Sequence, residues 1–284
     1  MKKTQNDTTM QLDILNKDFK SLNLPTRIYT YKYDSFLKVP NFLIKTDIQK
    51  TLNESRILLI VYLFIYRRRT YEDVAYLTIR QILDFCGYRA TRHRPKIFYE
   101  IIRCFLFLKE NYMITVDFNP LDVSYDQMLE VMIIEENFIP RNDFTRLYIA
   151  DFDSVMNLKC SPSKEKVLSI YLYICSFIGN YTHNMYNSEF QNVSNPNAFW
   201  KSITTISKDL SLSKNTVTQC LDVLTFKCGN EKPLLIKKEM KNMQTDLSIP
   251  LQQKAPNIYV LNKYGYQKEI ELAINKIKCA QQID

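Results

Sequence analysis

One succession of segments occurs twice in this chain, and that repeat restricts the folds open to it more than any single motif. In the first pass an apolar run from Ile57 to Tyr66 reads as a buried helix, with Asn53 as its N-cap and Arg67, Arg68 and Arg69 at its negative end. After Tyr76–Ile79 come a short helix Arg80–Phe85, a turn Cys86–Arg89 and a longer helix Arg94–Lys109. Two strand-like segments, Tyr112–Phe118 and Glu130–Glu135, follow, joined by an acidic loop. In the second pass Val167–Cys175 matches the first apolar run in register, Ile57 with Val167, Leu58 with Leu168 and Ile60 with Ile170. Thr204–Leu210, a turn at Ser211–Ser213, a helix Lys214–Phe226 and strands Leu234–Glu239 and Asn257–Asn262 complete the copy.

The remaining segments lie outside the repeat. Residues 1–27 read as a mobile arm with a short helix at Met10–Phe19, and Ile28–Tyr33 alternates as a strand does. Val39–Ile44 is an edge segment or turn because Pro40 lacks a ladder donor. Residues 181–197 form a polar insert, and Tyr264–Gln282 a charged helix with Ile270, Ile274 and Ile277 on one stripe. The expected architecture is mainly α with small β wings, an α+β fold of two tandem units spanning 28–137 and 138–284.

Composition narrows the functions. With 46% hydrophobic residues the chain can bury true cores, and 4 dispersed glycines leave no phosphate loop of GxxxxGK or GxGxxG type. His93 and His183 are too far apart for a paired-histidine metal motif, so neither a metal nor a cofactor is expected. Asp151-Phe-Asp153 could be half a metal site, but a helix N-terminal cap is the simpler role. Seven cysteines without a CxxC pattern read as reduced core residues of a cytoplasmic protein. The first residues lead into no apolar signal core, and the longest apolar run is about half a bilayer span, so no membrane association is expected.

Net charge is +8 with a pI near 9.0. From Asp117 to Asp153 nine acids face only Arg141 and Arg146, a net of −7, so the rest of the chain carries +15. The acidic stretch reads as a solvated face, and the cationic flanks point to a polyanionic partner.

The most informative segment is Thr205–Leu224. Ile206, Leu210, Leu212, Val217, Leu221 and Leu224 are spaced to lock two short helices at a steep angle. Ser213 is placed to cap the second helix, and Ser213, Lys214, Asn215, Thr216, Thr218 and Gln219 project from its first half. Lys237, Lys238, Lys241 and Lys254 lie in or beside the two strands that follow. This segment resembles the helix-turn-helix of winged-helix DNA-binding domains, with a polar wing tip at Met240–Pro256. In the first copy Arg80, Arg89, Thr91, Arg92, His93, Arg94 and Lys96 give the corresponding region a net positive charge, and 91–94 stand at the entrance of its second helix.

Two winged helices fused in one chain are similar to the replication initiators of plasmids and other mobile elements. Val39–Leu43 followed by Leu52–Arg56 resembles the entry of the N-terminal winged helix in initiators of low-GC Gram-positive bacteria. The resemblance implies a non-catalytic protein that binds double-stranded DNA at direct repeats and assembles there as a homo-oligomer. A winged-helix transcriptional regulator is the alternative; Tyr264–Gln282 would then be a dimer helix, or else simply pack on the second unit. Tyr62, Tyr66, Tyr171 and Tyr173 are expected in the core or at the interface between the two units, with hydroxyls reaching a surface.

Overall fold

A computed structural model describes residues 36–44, 57–91, 95–119, 122–135, 144–158, 162–178, 196–226, 232–240, 256–263 and 265–281. The expected arm, the strand at 28–33, the Asn53 cap, most of the polar insert and the loop 241–255 lie outside these residues.

The chain is a mixed α+β fold with small sheets. Strand β1 (Phe36–Pro40) runs into a short helix α1 (Asn41–Ile44). Helix α2 (Leu58–Arg68) is buried on all sides from Leu58 to Tyr66, as its unbroken apolar sequence requires. Strand β2 (Val74–Leu77) leads to α3 (Ile79–Cys86), which starts at a capping box. Thr78 accepts from the Gln81 amide at 3.2 Å, and the Gln81 side chain accepts from the Thr78 amide at 3.2 Å. Gly87 ends α3 at φ 82°, a left-handed turn that a side chain would strain. Helix α4 (Lys96–Glu110) follows Pro95. Tyr112 turns the chain at φ 55°, so strand β3 (Ile114–Val116) is shorter than the alternation suggests. Strand β4 (Leu129–Ile133) closes the first copy.

Strand β5 (Phe144–Tyr148) and helix α5 (Ile149–Met156) then open the second copy as β1 and α1 open the first. Helices and strands follow in the earlier order: α6 (Lys164–Ile178), β6 (Ala198–Phe199), α7 (Ile203–Asp209), α8 (Lys214–Thr225), β7 (Leu235–Lys238) and β8 (Ile258–Leu261). Helix α9 (Tyr266–Gln281) is additional. The two three-stranded antiparallel sheets share one topology, β2-β4-β3 and β6-β8-β7, with the last strand in the centre. Among the described residues no helix is long and apolar enough to cross a membrane.

The copies meet through a local two-fold. β1 pairs antiparallel with β5 so that Lys38 lies opposite Arg146, Phe36 opposite Tyr148 and Pro40 opposite Phe144. Arg146 sits over the Phe36 ring at 5.1 Å, and Lys38 over the Phe144 ring at 5.8 Å, two symmetry-related cation–π contacts. On the inner face, the buried Thr145 hydroxyl donates to the Asn41 side-chain oxygen at 2.6 Å. One apolar core runs through both copies, from Leu37 to Tyr259. Phe152 of α5 packs on Phe85 of α3 at 5.7 Å, and Phe85 on Phe64 of α2 at 4.9 Å.

The acidic stretch is divided: Asp117, Asp122, Asp126 and Glu130 are exposed, as a solvated face would have them, while Glu135, Asp151 and Asp153 turn to partners within the fold. Glu135 accepts from Lys38 at 2.7 Å, from Arg69 at 2.5 Å and from the Tyr66 hydroxyl. Asp153 pairs with Arg67, its second oxygen at 3.1 Å. Asp126 binds Arg80, and the fully buried Asp151 accepts from the Tyr171 hydroxyl at 2.6 Å. Helix α5 begins after Tyr148, whose side chain makes no cap bond, and Asp151 is the acidic residue of its first turn. The three arginines closing α2 are likewise engaged, Arg68 with the Gln81 carbonyl at 3.1 Å and against the Phe64 ring. Glu135, Asp153 and Asp126 thus neutralise cations of the first half of the sequence.

Burial alone would raise the Glu135 pKa, but hydrogen bonds from Lys38, Tyr66 and Arg69 outweigh it and hold the carboxyl below the usual range. A depressed carboxylate stabilises the fold above its unfolded pKa, near ~4.3, and that contribution is lost as pH falls through the lower folded value. Glu135→Gln is therefore expected to cost about 1–3 kcal/mol at neutral pH and to flatten the acid limb of stability, measured by urea unfolding between about pH 3 and 7.

Of the cysteines, Cys86, Cys104, Cys175 and Cys220 are buried thiols, but Cys279 is exposed on α9, which corrects the reading of it as core. Cys160 and Cys228 lie outside the described residues. Tyr62, Tyr66, Tyr171 and Tyr173 are buried as expected, with hydroxyls on the Lys38 carbonyl, Glu135, Asp151 and Asp209; the Tyr171 hydroxyl ends on the fully buried Asp151 rather than at a surface.

Candidate nucleic-acid interface

Local chemistry dictates the paired helices α7 and α8. Ser202 accepts from the Thr205 amide at 3.0 Å to start α7, and Ser213 accepts from the Thr216 amide at 3.1 Å to start α8. Between them the chain turns at Ser211, φ 50°, and the Ser207 hydroxyl donates to the Leu212 carbonyl at 2.6 Å. Ile206, Leu210, Val217, Leu221 and Leu224 are buried, joined by Cys220, and the half-buried Leu212 packs against the same core. The apolar spacing read in the sequence is thus the packing that holds the two helices.

What faces solvent is the first half of α8. Ser213, Lys214, Asn215, Thr218 and Gln219 are exposed, while Thr216 is half-buried with its oxygen 2.9 Å from that of Ser213. The Thr218 hydroxyl donates to the Lys214 carbonyl at 3.0 Å, which leaves its lone pairs outward. Unsatisfied amides and the helix dipole make this end attractive to phosphate, and Asn215 and Gln219 carry the amide groups that pair with adenine edges. Lys238 is exposed on β7. Lys237 is half-buried and bound to Glu239 at 2.7 Å; that hydrogen bond raises its pKa, so it stays charged but partly neutralised. Lys241 and Lys254 lie outside the described residues.

The first copy has the same arrangement with different chemistry. Val217, Cys220, Leu221 and Leu224 of α8 correspond to Phe98, Ile101, Ile102 and Phe105 of α4, all buried at the same spacing. Asn215, Thr218, Gln219 and Asp222 then correspond to Lys96, Tyr99, Glu100 and Arg103. Of these, Lys96, Tyr99 and Arg103 are exposed, with the Lys96 ammonium 3.9 Å from Glu100. The helix begins at Lys96, so 91–94 precede it rather than forming its first turn. Arg89 and Thr91 are exposed there, and Arg92, His93 and Arg94 lie outside the described residues. Arg80 is exposed and paired, with Asp126 holding its guanidinium at 2.5 and 2.8 Å through the fork that would face a phosphate. Tyr99 and Arg103 were not singled out in the sequence because their place on the outer face shows only once the two helices are aligned by their buried residues.

The buried tyrosine hydroxyls of Tyr173 and Tyr66 are donors, not nucleophiles. Burial and then the hydrogen bond to Asp209 push the Tyr173 hydroxyl well above its ordinary value, and burial with Glu135 does the same to Tyr66. Among the described residues no group of three His, Cys, Asp or Glu comes together to hold a metal. Compared with known proteins, the chain matches no family model and no curated protein.

Proposed function

We propose that the chain is a sequence-specific double-stranded DNA-binding protein of two tandem winged-helix units, and that it serves as a replication initiator at origin repeats. The observation that carries this reading is the exposed, capped, cationic and amide-bearing start of α8 beside the β7–β8 pair. The first copy repeats the order of elements and the sheet topology around α4. Both helices present groove-sized polar faces, one carrying Asn, Thr and Gln, the other Lys, Tyr and Arg. The second unit then reads adenine-containing steps, and Arg103 of the first reads guanine. Lysines and arginines release counterions from the backbone and supply the sequence-independent part of affinity. The strand pairing of β1 with β5 supports joint action of both heads on one duplex, at sites about one helical turn (~34 Å) apart.

A gel shift against random duplex DNA across a salt series tests the reading. Affinity is expected to fall steeply, with about 0.9 in the log–log slope for each phosphate contacted. A flat response removes nucleic acid as the partner. Selection from a duplex library then separates the two biological roles: enriched direct repeats favour an initiator, and one isolated inverted repeat favours a regulator.

A further inference from the structure

The outer faces of the two equivalent sheets are treated differently. In the second copy α9 lies across the sheet, and Ala273 and Ile277 with Ile270 and Ile274 cover Ala198, Ile236, Ile258, Val260 and the adjoining Trp200. Strand register carries that footprint onto the first copy. Val260 pairs with Ala198 and Ile236, as Met132 pairs with Val74 and Thr115. Two residues along the strands, Trp200 therefore corresponds to Tyr76 and Ile258 to Glu130. On the first sheet Tyr76 is 52% exposed and Met132 45%, while Val74, the counterpart of Ala198, is buried beside them. Met128 and Asp117, exposed at the ends of β4 and β3, extend the same face.

We propose that this face is a docking site for a basic amphipathic helix of a partner protein, seated as α9 is seated on the second sheet. Apolar area with a tyrosine and two methionines suits a helix presenting residues at i, i+3, i+4 and i+7, since methionine adapts to irregular contact. Glu130 in the centre and Asp117 at the rim give the face the opposite sign to the chain as a whole. That charge selects a helix flanked by lysine or arginine. It repels the DNA backbone, and it sets like charges against each other if two copies stack by this face. The inference rests on the sheet equivalence and stands apart from the DNA reading.

The probe is a fluorescein-labelled 16-residue peptide, the length of α9, with leucine at the α9 stripe spacing and lysine elsewhere. Fluorescence polarisation with the full chain is expected to show saturable binding. The Tyr76→Ser/Met132→Ser double variant should weaken it at least about tenfold and Glu130→Lys about fivefold. Lys214→Glu should bind the peptide like the unaltered chain. A scrambled peptide that binds equally well overturns the proposal, as does an unchanged affinity in the double variant, or no binding by the full chain. A dimer in light scattering that Glu130→Lys converts to monomer also overturns it, by giving the face to a second copy. All the substituted residues are exposed, and circular dichroism of each variant confirms that the fold is kept.

Discussion

Lys214→Glu is expected to weaken duplex binding at least tenfold near 0.05 M salt, while leaving thermal unfolding unchanged. The side chain is the first residue of α8, exposed beside the capped helix start. One phosphate contact with a salt slope of about 0.9 contributes a factor of roughly 15 at ~0.05 M salt, and reversal adds repulsion to that loss. The log–log salt slope should become shallower by about 0.9, which loss of a base contact would not produce. Gln219→Ala, which removes an amide and changes no charge, should keep the slope and relax discrimination at one base pair. Binding isotherms at several salt concentrations, on specific and random duplexes, distinguish the two outcomes.

Phe152→Ala is expected to lower stability by about 3–5 kcal/mol and to do so for both copies at once. The ring is fully buried in α5 and bridges to Phe85 of the first copy, so truncation leaves a cavity between elements that cannot collapse without moving α3 or α6. The chain carries its own local reporter: Trp200, the sole tryptophan, is half-buried in the second copy. Guanidinium unfolding followed by its fluorescence and by far-ultraviolet circular dichroism should give coincident midpoints, shifted together in the variant. Separated transitions would mean that the two copies hold together less tightly than their common core implies.

Much of the frame was legible in the sequence because it rests on local patterns. The duplicated order, the apolar helices around Leu58 and Leu168 and the capped helix at Ser213 all follow from spacing within a dozen residues. Strands β1, β2, β5 and β6 were not foreseen as a set. They are short, and β1 finds its partner a hundred residues onward, so no local alternation announces it. The inward part of the acidic stretch was not legible for the same reason: whether Glu135 meets water or Lys38, Arg69 and Tyr66 depends on contacts made across the fold. At the candidate interface, Ser213 to Gln219 were visible from one helix pattern. Arg80 was assigned by charge alone, and charge does not reveal that Asp126 already holds the guanidinium.

The β1–β5 ladder has an implication for how this molecule can change over time. In a symmetric dimer of identical chains every substitution is made twice, once on each side of the axis, and asymmetry is out of reach. Here both sides are encoded separately within one polypeptide, so the partners across the axis are already Lys38 and Arg146 rather than one residue meeting itself. The junction is completed without any encounter between molecules, at any dilution. Each half is free to acquire its own surface chemistry while the shared backbone geometry is retained.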